Sequence, residues 1–555
     1  MPTITDYLEE LLTEALIAAR DDDVLDFDET PDVRLERPKR REHGDWATNV
    51  ALAAGRGRGN PRAIATAIIE RLPPSDMVDR VEIAGPGFLN FHLSPAWLHD
   101  VVRRAATPGS GFGRSRTGSG RKVNVEYVSA NPTGPINVVS GRHAAYGDAV
   151  AALLEATGHS VVREYYVNDA GRQMKLFGES VAARYLQHFG KDASIPDDGY
   201  RGDYVGELAA EIAAEAGDVY VAEAPEARNE AIRKLALKRM LEQMKTTLAR
   251  FGTTYDSWFS ESSLHDTGAV TRGLDDLRAR GFIEERDGAL WFRTSEFGDD
   301  KDRVVVRTDG STTYLAPDIA YMRDKLERGF DHLIYVLGSD HHGVIARMHA
   351  IADAIGFTRE RVEIRIVQIV TLQRGGAAVK ASKRAGDIVP LDELVSEVGK
   401  DAARYIFLTR SIDAPLEFDI ALATEQAPEN PVYYVQYAHA RICSILRKAE
   451  DEGVPLPDPA ATGLDALEHP SEDELMRKLA SYEEVVPEAA TMRAPQRISR
   501  YVEELASTFS SFYRDCRVVS DDAGVTAARL SLCLATRAVI KDGLGLLGVG
   551  APERM

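Results

Sequence analysis

The stretch 122–158, KVNVEYVSANPTGPINVVSGRHAAYGDAVAALLEATG, constrains the fold more than any other part of the chain. Its opening KVNVEY reads as a strand, Asn131-Pro132-Thr133-Gly134-Pro135 supplies a turn, and the apolar run that follows predicts a helix stopping at Gly158. Ser160-Val161-Val162-Arg163-Glu164-Tyr165-Tyr166-Val167 is a second strand-like run, so the unit reads strand, helix, strand, the pattern of a parallel sheet. Such a junction presents a helix N-terminus, with unpaired N–H groups and a positive dipole end, to anything anionic above the sheet. A nucleotide fits there.

A second element lies far downstream. Val379-Lys380-Ala381-Ser382-Lys383-Arg384-Ala385-Gly386 sets two lysines around a serine in a loop, a cationic clamp suited to ATP phosphates in a transition state that gathers charge. Gly338-Ser339-Asp340-His341-His342-Gly343 follows a strand and precedes a helix, where Gly338 allows close approach and Asp340 can accept from a ribose or an ammonium. Adjacent histidines on one helical turn point about 100° apart and seldom share an ion, so this pair reads as part of a pocket and not as a metal site.

Composition fits a multidomain globular protein: 555 residues, 44% apolar and 28% charged, are enough for three or four domains with sizeable cores. No run of about 18 apolar residues stands out, and MPTITDYLEELLTEAL is an acidic amphipathic helix, so neither membrane insertion nor secretion is expected. The three cysteines, Cys443, Cys516 and Cys533, lack metal-ligand spacing and fit a reducing cytoplasm. A net charge of −20 argues against indiscriminate nucleic-acid binding but leaves room for a local basic face such as Arg34-Leu35-Glu36-Arg37-Pro38-Lys39-Arg40-Arg41.

Along the chain, residues 1–106 mix helix-like and strand-like runs and end in a Gly/Ser-rich linker. Residues 120–426 form the nucleotide-binding domain. Within it, a largely helical insertion over about 176–290 separates two halves of one sheet, with further strands at Val304-Val305-Val306, Leu333-Ile334-Tyr335-Val336-Leu337 and the run 363–370. Residues 427–555 are helical.

Taken together these residues resemble the arginyl-tRNA synthetases of class I. Ser129-Ala130-Asn131-Pro132-Thr133-Gly134-Pro135 is similar to the lead-in to the family's His-Ile-Gly-His-type signature, and Lys380 to Arg384 to its Lys-Met-Ser-Lys-Arg loop. Glu42-His43-Gly44-Asp45, Ala84-Gly85-Pro86-Gly87-Phe88, Tyr166-Val167-Asn168-Asp169 with Gly171 and Gln173, Phe297-Gly298-Asp299-Asp300-Lys301-Asp302-Arg303, the stretch from Asn430 to Arg441 and the terminal Ala551-Pro552-Glu553-Arg554-Met555 extend the likeness end to end. The resemblance implies an α/β protein: a Rossmann-type parallel-sheet catalytic domain, an α+β N-terminal tRNA-binding domain and an all-α anticodon-binding domain.

It also implies a ligase that uses ATP, with Mg2+, to join arginine to its tRNA as a cytoplasmic monomer without a membrane. The residues it assigns to arginine are Glu126, Ser129, Asn131, Tyr314 and Asp318. ATP falls to Pro135, Val139, Gly141, Gly338, Asp340, Lys380 and Lys383, and the chemistry to Asn137, Ser140, Lys380, Ser382 and Lys383. For tRNA it points to Tyr433, Tyr434, Gln436, Tyr437 and Arg441, whose rings and donors suit splayed single-stranded bases. The chain departs from the family at the signature itself, where Asn137, Val139 and Ser140 stand for histidine, a small residue and often a second histidine. Neither Asn137 nor Ser140 can carry positive charge, and Val139 is branched where an adenine ring would lie close. Two versions stay open on sequence: a working ligase, or an impaired or inhibitor-excluding paralogue that binds arginine and tRNA.

Overall fold

The computed structural model describes residues 3–27, 29–55, 59–379 and 389–555. By contact the chain forms two units: Met1–Phe112 with Ile442–Glu483 and Ser507–Val539, and Gly113–Arg441 with Glu484–Ala506 and Ile540–Met555. These cut across the linear boundaries at 106 and 427. In the first unit a four-stranded antiparallel sheet, ordered Leu35–Glu36, Trp46–Thr48, Phe88–Leu93, Val78–Ala84, shares its unit with C-terminal helices. Arg104 grips Glu483 at 2.5 and 2.9 Å, and Arg477 reaches Asp45 at 2.5 Å.

The second unit is built on five parallel strands ordered Val362–Val367, His332–Gly338, Lys122–Tyr127, Ser160–Val167, Ser257–Ser260. The first strand in sequence is therefore central, with later strands added on both sides. The order reverses between Lys122–Tyr127 and His332–Gly338, and a crevice opens above the carboxyl ends at such a reversal. One face carries the helix Val138–Ala156, buried on nearly all sides, with its Ala, Val and Leu spread round the whole circumference. Its Gly147 is required by contact: a Cβ there would sit 2.2 Å from Cγ of Tyr127. On the other face Leu315–Glu327 and Ile345–Ile355 pack Ile319, Met322, Met348 and Ile351 over Leu333 and Tyr335.

Three expectations change. Ser257–Ser260, inside the presumed helical insertion, is the fifth strand of the sheet; at four residues it is too short to show a period and exists by pairing with Ser160–Val167. Val304-Val305-Val306 belongs to a separate antiparallel sheet, Arg303–Val306, Ala289–Phe292, Ile283–Arg286. The run 363–370 is divided: Val362–Val367 edges the parallel sheet, while Val370–Arg374 pairs with Leu416–Asp419 and Ala377–Ala378. Among the described residues one helix, Ala523–Leu546, is long and apolar enough to span a membrane by composition, and 56% of its apolar window is buried inside the protein.

Candidate active site

The helix Val138–Ala156 begins at the crevice. Asn137 is its N-cap: Oδ1 accepts the Ser140 N–H at 2.8 Å, which leaves the amide nitrogen as the side chain's donor. Beside it, Val138 N–H donates to Val389 O at 3.0 Å and Leu391 N–H to Ile136 O at 2.8 Å, so the chain just after the lysine segment is docked on the helix start. Lys380, Ser382 and Lys383 themselves lie outside the described residues. Val139 is 38% exposed at this end and Ser140 is buried. Pro135 is half-buried in the preceding turn, whose Thr133 carbonyl accepts the Tyr204 hydroxyl at 2.8 Å. Gly141, expected against ATP, has its N–H on Asn137 O, and a Cβ there would meet Leu391 at 2.6 Å, so the glycine is closely packed on that side.

Next to this turn a cavity of about 1260 Å³ is lined by Asn131, Tyr166, Asp169, Glu261, Tyr314 and Asp318 among others. Tyr314, 69% exposed, precedes the helix Leu315–Glu327, and Arg347 donates to its hydroxyl at 3.1 Å. Asp318 follows in the first turn of that helix. Burial, with the charges of Glu261 and Glu126, pushes its carboxyl up to about 7 despite Arg347. No described residue donates a hydrogen bond to that carboxylate.

Glu126 and Ser129, expected at arginine, are not among the residues that line the cavity. Glu126 is not at the cavity wall but beneath it, where it accepts from Lys325 Nζ at 2.6 Å and the Tyr321 hydroxyl at 2.9 Å; its charge is already matched. Ser129 donates to Glu126 at 3.3 Å and accepts the Tyr166 N–H at 3.1 Å, with Val128 and Ser129 at φ of +69° and +42°. A branched residue at positive φ stores strain, here at the strand end that feeds the cavity. Asn131 does line the cavity, its amide donating to Gln173 at 2.6 Å.

The sequence reading missed Glu261. It starts the helix Glu261–Asp266 directly after the strand Ser257–Ser260, the carboxyl-end position where ligand groups gather, and recognising that strand would have exposed it. Burial raises its carboxyl, with Tyr166 and His265 opposing. Two carboxylates held above their ordinary range in one wall suit a cation with several fixed donors, whose charge would return both to the ionised state.

Gly338 ends the strand next to Lys122–Tyr127, and Asp340, His341 and His342 follow in the turn Ser339–Val344. Among the described residues no group of three His, Cys, Asp or Glu converges as a metal site. On the helix Pro431–Asp451, Tyr433 and Tyr437 stack with ring centres 5.9 Å apart, and Arg441 lies 4.6 Å over the Tyr437 ring and donates to its hydroxyl. Tyr434 is half-buried. Gln436, expected to read tRNA, has its amide donors engaged by Asp401 at 3.0 Å and Gly550 O at 2.9 Å, a fastening for the C-terminal residues.

Three family descriptions match in order: the arginyl tRNA synthetase N terminal domain over 6–93, the class I (R) tRNA synthetase catalytic domain over 109–411 and the DALR anticodon binding domain over 435–555. The arginine–tRNA ligase of Moorella thermoacetica is 48% identical over 550 residues, covering 99% of this chain and 98% of the relative. That of Desulforamulus reducens is 46% identical over 554 residues, covering 100% and 99%. In fold the chain is similar to the Thermus thermophilus arginyl-tRNA synthetase, with a TM-score of 0.74 at 24% identity over 99% of both chains.

Proposed function

The chain belongs to the class I arginyl-tRNA synthetases, and from that premise we propose how its residues carry out the ligation of arginine to tRNA. The observation that carries the reading is Asp318, a carboxylate without a described donor in a cavity that also holds Glu261 and reaches Asn131, in the turn ahead of the helix Val138–Ala156. The guanidinium of arginine pairs with Asp318 and Glu261, Tyr314 covers it, and Asn131, oriented by Gln173, holds the α-amino end. Glu126 supports the cavity floor through Lys325 and Tyr321.

ATP lies across the crevice, with its α-phosphate before Asn137 and Ser140 and its adenosine over Pro135, Val139, Gly338 and Asp340. An oxygen of the arginine carboxylate attacks the α-phosphate and pyrophosphate leaves, giving arginyl-adenylate; a hydroxyl of the tRNA 3′-terminal ribose then attacks the adenylate carbonyl and AMP leaves. No covalent enzyme intermediate forms, so the protein contributes position and charge stabilisation. Lys380, Ser382 and Lys383 hold the departing pyrophosphate. Mg2+ enters with ATP, because this ion binds through substrate phosphates more readily than in an all-protein cage.

Residues 427–555 read the anticodon through Tyr433, Tyr437 and Arg441, with Tyr434 alongside, and residues 1–106 bind tRNA elsewhere. The protein works in the cytoplasm as a monomer; its three cysteines are buried and outside any disulfide, which a reducing compartment maintains. The non-catalytic alternative is not favoured, since full-length relatives at 46–48% identity are ligases. Charging of total tRNA with labelled arginine, with and without ATP, tests the proposal. ATP-dependent charging that is lost in Asp318→Ala is expected; Asp318→Ala with an unchanged Michaelis constant for arginine would unseat the assignment.

A further inference from the structure

Residues 166–173 take no part in the steps above except through Gln173, yet Asp169 in their midst is bound unusually fully. Its carboxylate accepts from Ser260 Oγ at 2.6 Å, from Ser262 N–H at 2.8 Å and from Ser262 Oγ at 2.8 Å. Those two serines flank Glu261 on both sides. The helix Glu261–Asp266 has no cap of its own, because the Ser260 side chain makes no capping bond; Asp169, arriving from the end of a neighbouring strand, takes that place. A carboxylate already accepting three hydrogen bonds has little capacity left for a substrate cation, although it lines the same cavity.

We propose that Asp169 is a positioning residue for arginine selection: by gripping Ser260 and Ser262 it fixes the backbone that carries Glu261 and so sets the Glu261 carboxylate in the wall it shares with Asp318. The inference rests on the reading of Glu261 as an arginine contact. Asp169 touches no reacting atom, and its effect passes through Glu261 alone.

A double-mutant cycle on the full-length enzyme separates the two claims. Glu261→Gln and Asp169→Ala should each raise the Michaelis constant for arginine by roughly 10- to 100-fold, the loss of a hydrogen bond to a charged group. The constant for ATP and the turnover at saturating arginine should move less than about threefold, since the arginine contact is made before the reacting charge develops. In the Glu261→Gln background Asp169→Ala should add nothing further, and Asp169→Asn, whose oxygen still accepts from Ser262 while its nitrogen donates to Ser260, should recover most of the loss. If Asp169→Ala is recovered unfolded, Ser260→Ala with Ser262→Ala removes two of the three donors and gives the same readout. Effects that multiply in the double variant, equal losses for ATP and arginine, or an Asp169→Asn as poor as Asp169→Ala overturn the positioning role. An unchanged arginine constant in Glu261→Gln overturns the reading of Glu261 as well.

Discussion

At the scale of single residues, the charge state of Asp318 couples binding to stability. Its folded-state carboxyl is pushed up to about 7, above the ordinary value of about 3.9 expected unfolded, so the folded protein holds a proton that the unfolded chain releases between those pH values. The ionised group therefore costs stability that is absent below about pH 4 and complete above about pH 7. On the role proposed for Asp318, arginine needs the ionised form, so its Michaelis constant should rise about tenfold per unit as pH falls below 7 and stay flat above it. Asp318→Asn should abolish arginine binding at every pH, and should stabilise the unliganded protein at pH 8 by about 0.5–2 kcal/mol, a typical gain when a site residue is relieved. Thermal melts at pH 4 and pH 8 check the sign: the difference should vanish at the lower pH. Asn137 carries a second trade. Replacing it with histidine restores a chargeable donor but removes the helix cap, which typically costs about 0.5–2 kcal/mol. Asn137→His with Val139→Gly should raise pyrophosphate exchange and lower the Michaelis constant for ATP while lowering the melting temperature; unchanged exchange would show that the altered signature does not limit ATP use.

The helix Val138–Ala156 acts as an element through Arg142. Fully buried, its guanidinium donates to the carbonyls of Gln368 at 2.9 Å, Ala414 at 3.0 Å and Ser411 at 2.9 Å. Burial lowers its pKa to about 10, with Asp413 opposing, so the charge is retained at neutral pH. Gln368 is where the chain passes from the parallel sheet to the strand Val370–Arg374, and that strand leads towards the lysine segment. Arg142 thus ties the helix start to the path of the lysines. Arg142→Met should take away the donor that the Gln368, Ala414 and Ser411 carbonyls share and destabilise the protein by about 3–5 kcal/mol, the range for breaking a buried charged contact, read as a lower urea midpoint. Arg142→Lys should recover only part of this, because an ammonium cannot span three carbonyls in one plane.

Across the whole molecule, segments distant in sequence are locked by a few buried arginines. Arg404, with no exposed surface, pairs with Asp148 at 2.6 Å and donates to Leu547 O at 3.0 Å, Gly252 O at 3.1 Å and Thr253 Oγ1 at 3.1 Å. It joins the signature helix, the end of the inserted helix Pro225–Arg250 and the last residues of the chain within the second unit. Arg404→Met should cost about 3–5 kcal/mol and lower the stability of that unit, while leaving the first unit to melt as before. A differential scan showing one shifted and one unshifted transition is the expected result; a single unshifted transition would refute the role given to Arg404.

What the chain alone determined were the features set by neighbours in sequence. The alternation of Lys122–Tyr127, the turn residues 131–135 and the stop at Gly158 each depend on a few adjacent side chains, and all are in place in the fold. The crevice above the sheet followed from them, because a helix that starts after a parallel strand points its N-terminus above the sheet. Tertiary structure alone decided which charges are spent and which are available. Glu126 and Asp318 are equivalent carboxylates on paper, but Lys325 reaches the first, and no described donor reaches the second. Glu261 stayed hidden because its strand exists only by pairing with Ser160–Val167, and the packing of Gly141 on Leu391, 250 positions away, leaves no trace in the sequence. Periodicity is a property of neighbours along the chain, whereas Coulomb energy, desolvation and packing depend on distances in space that are fixed only when remote segments meet.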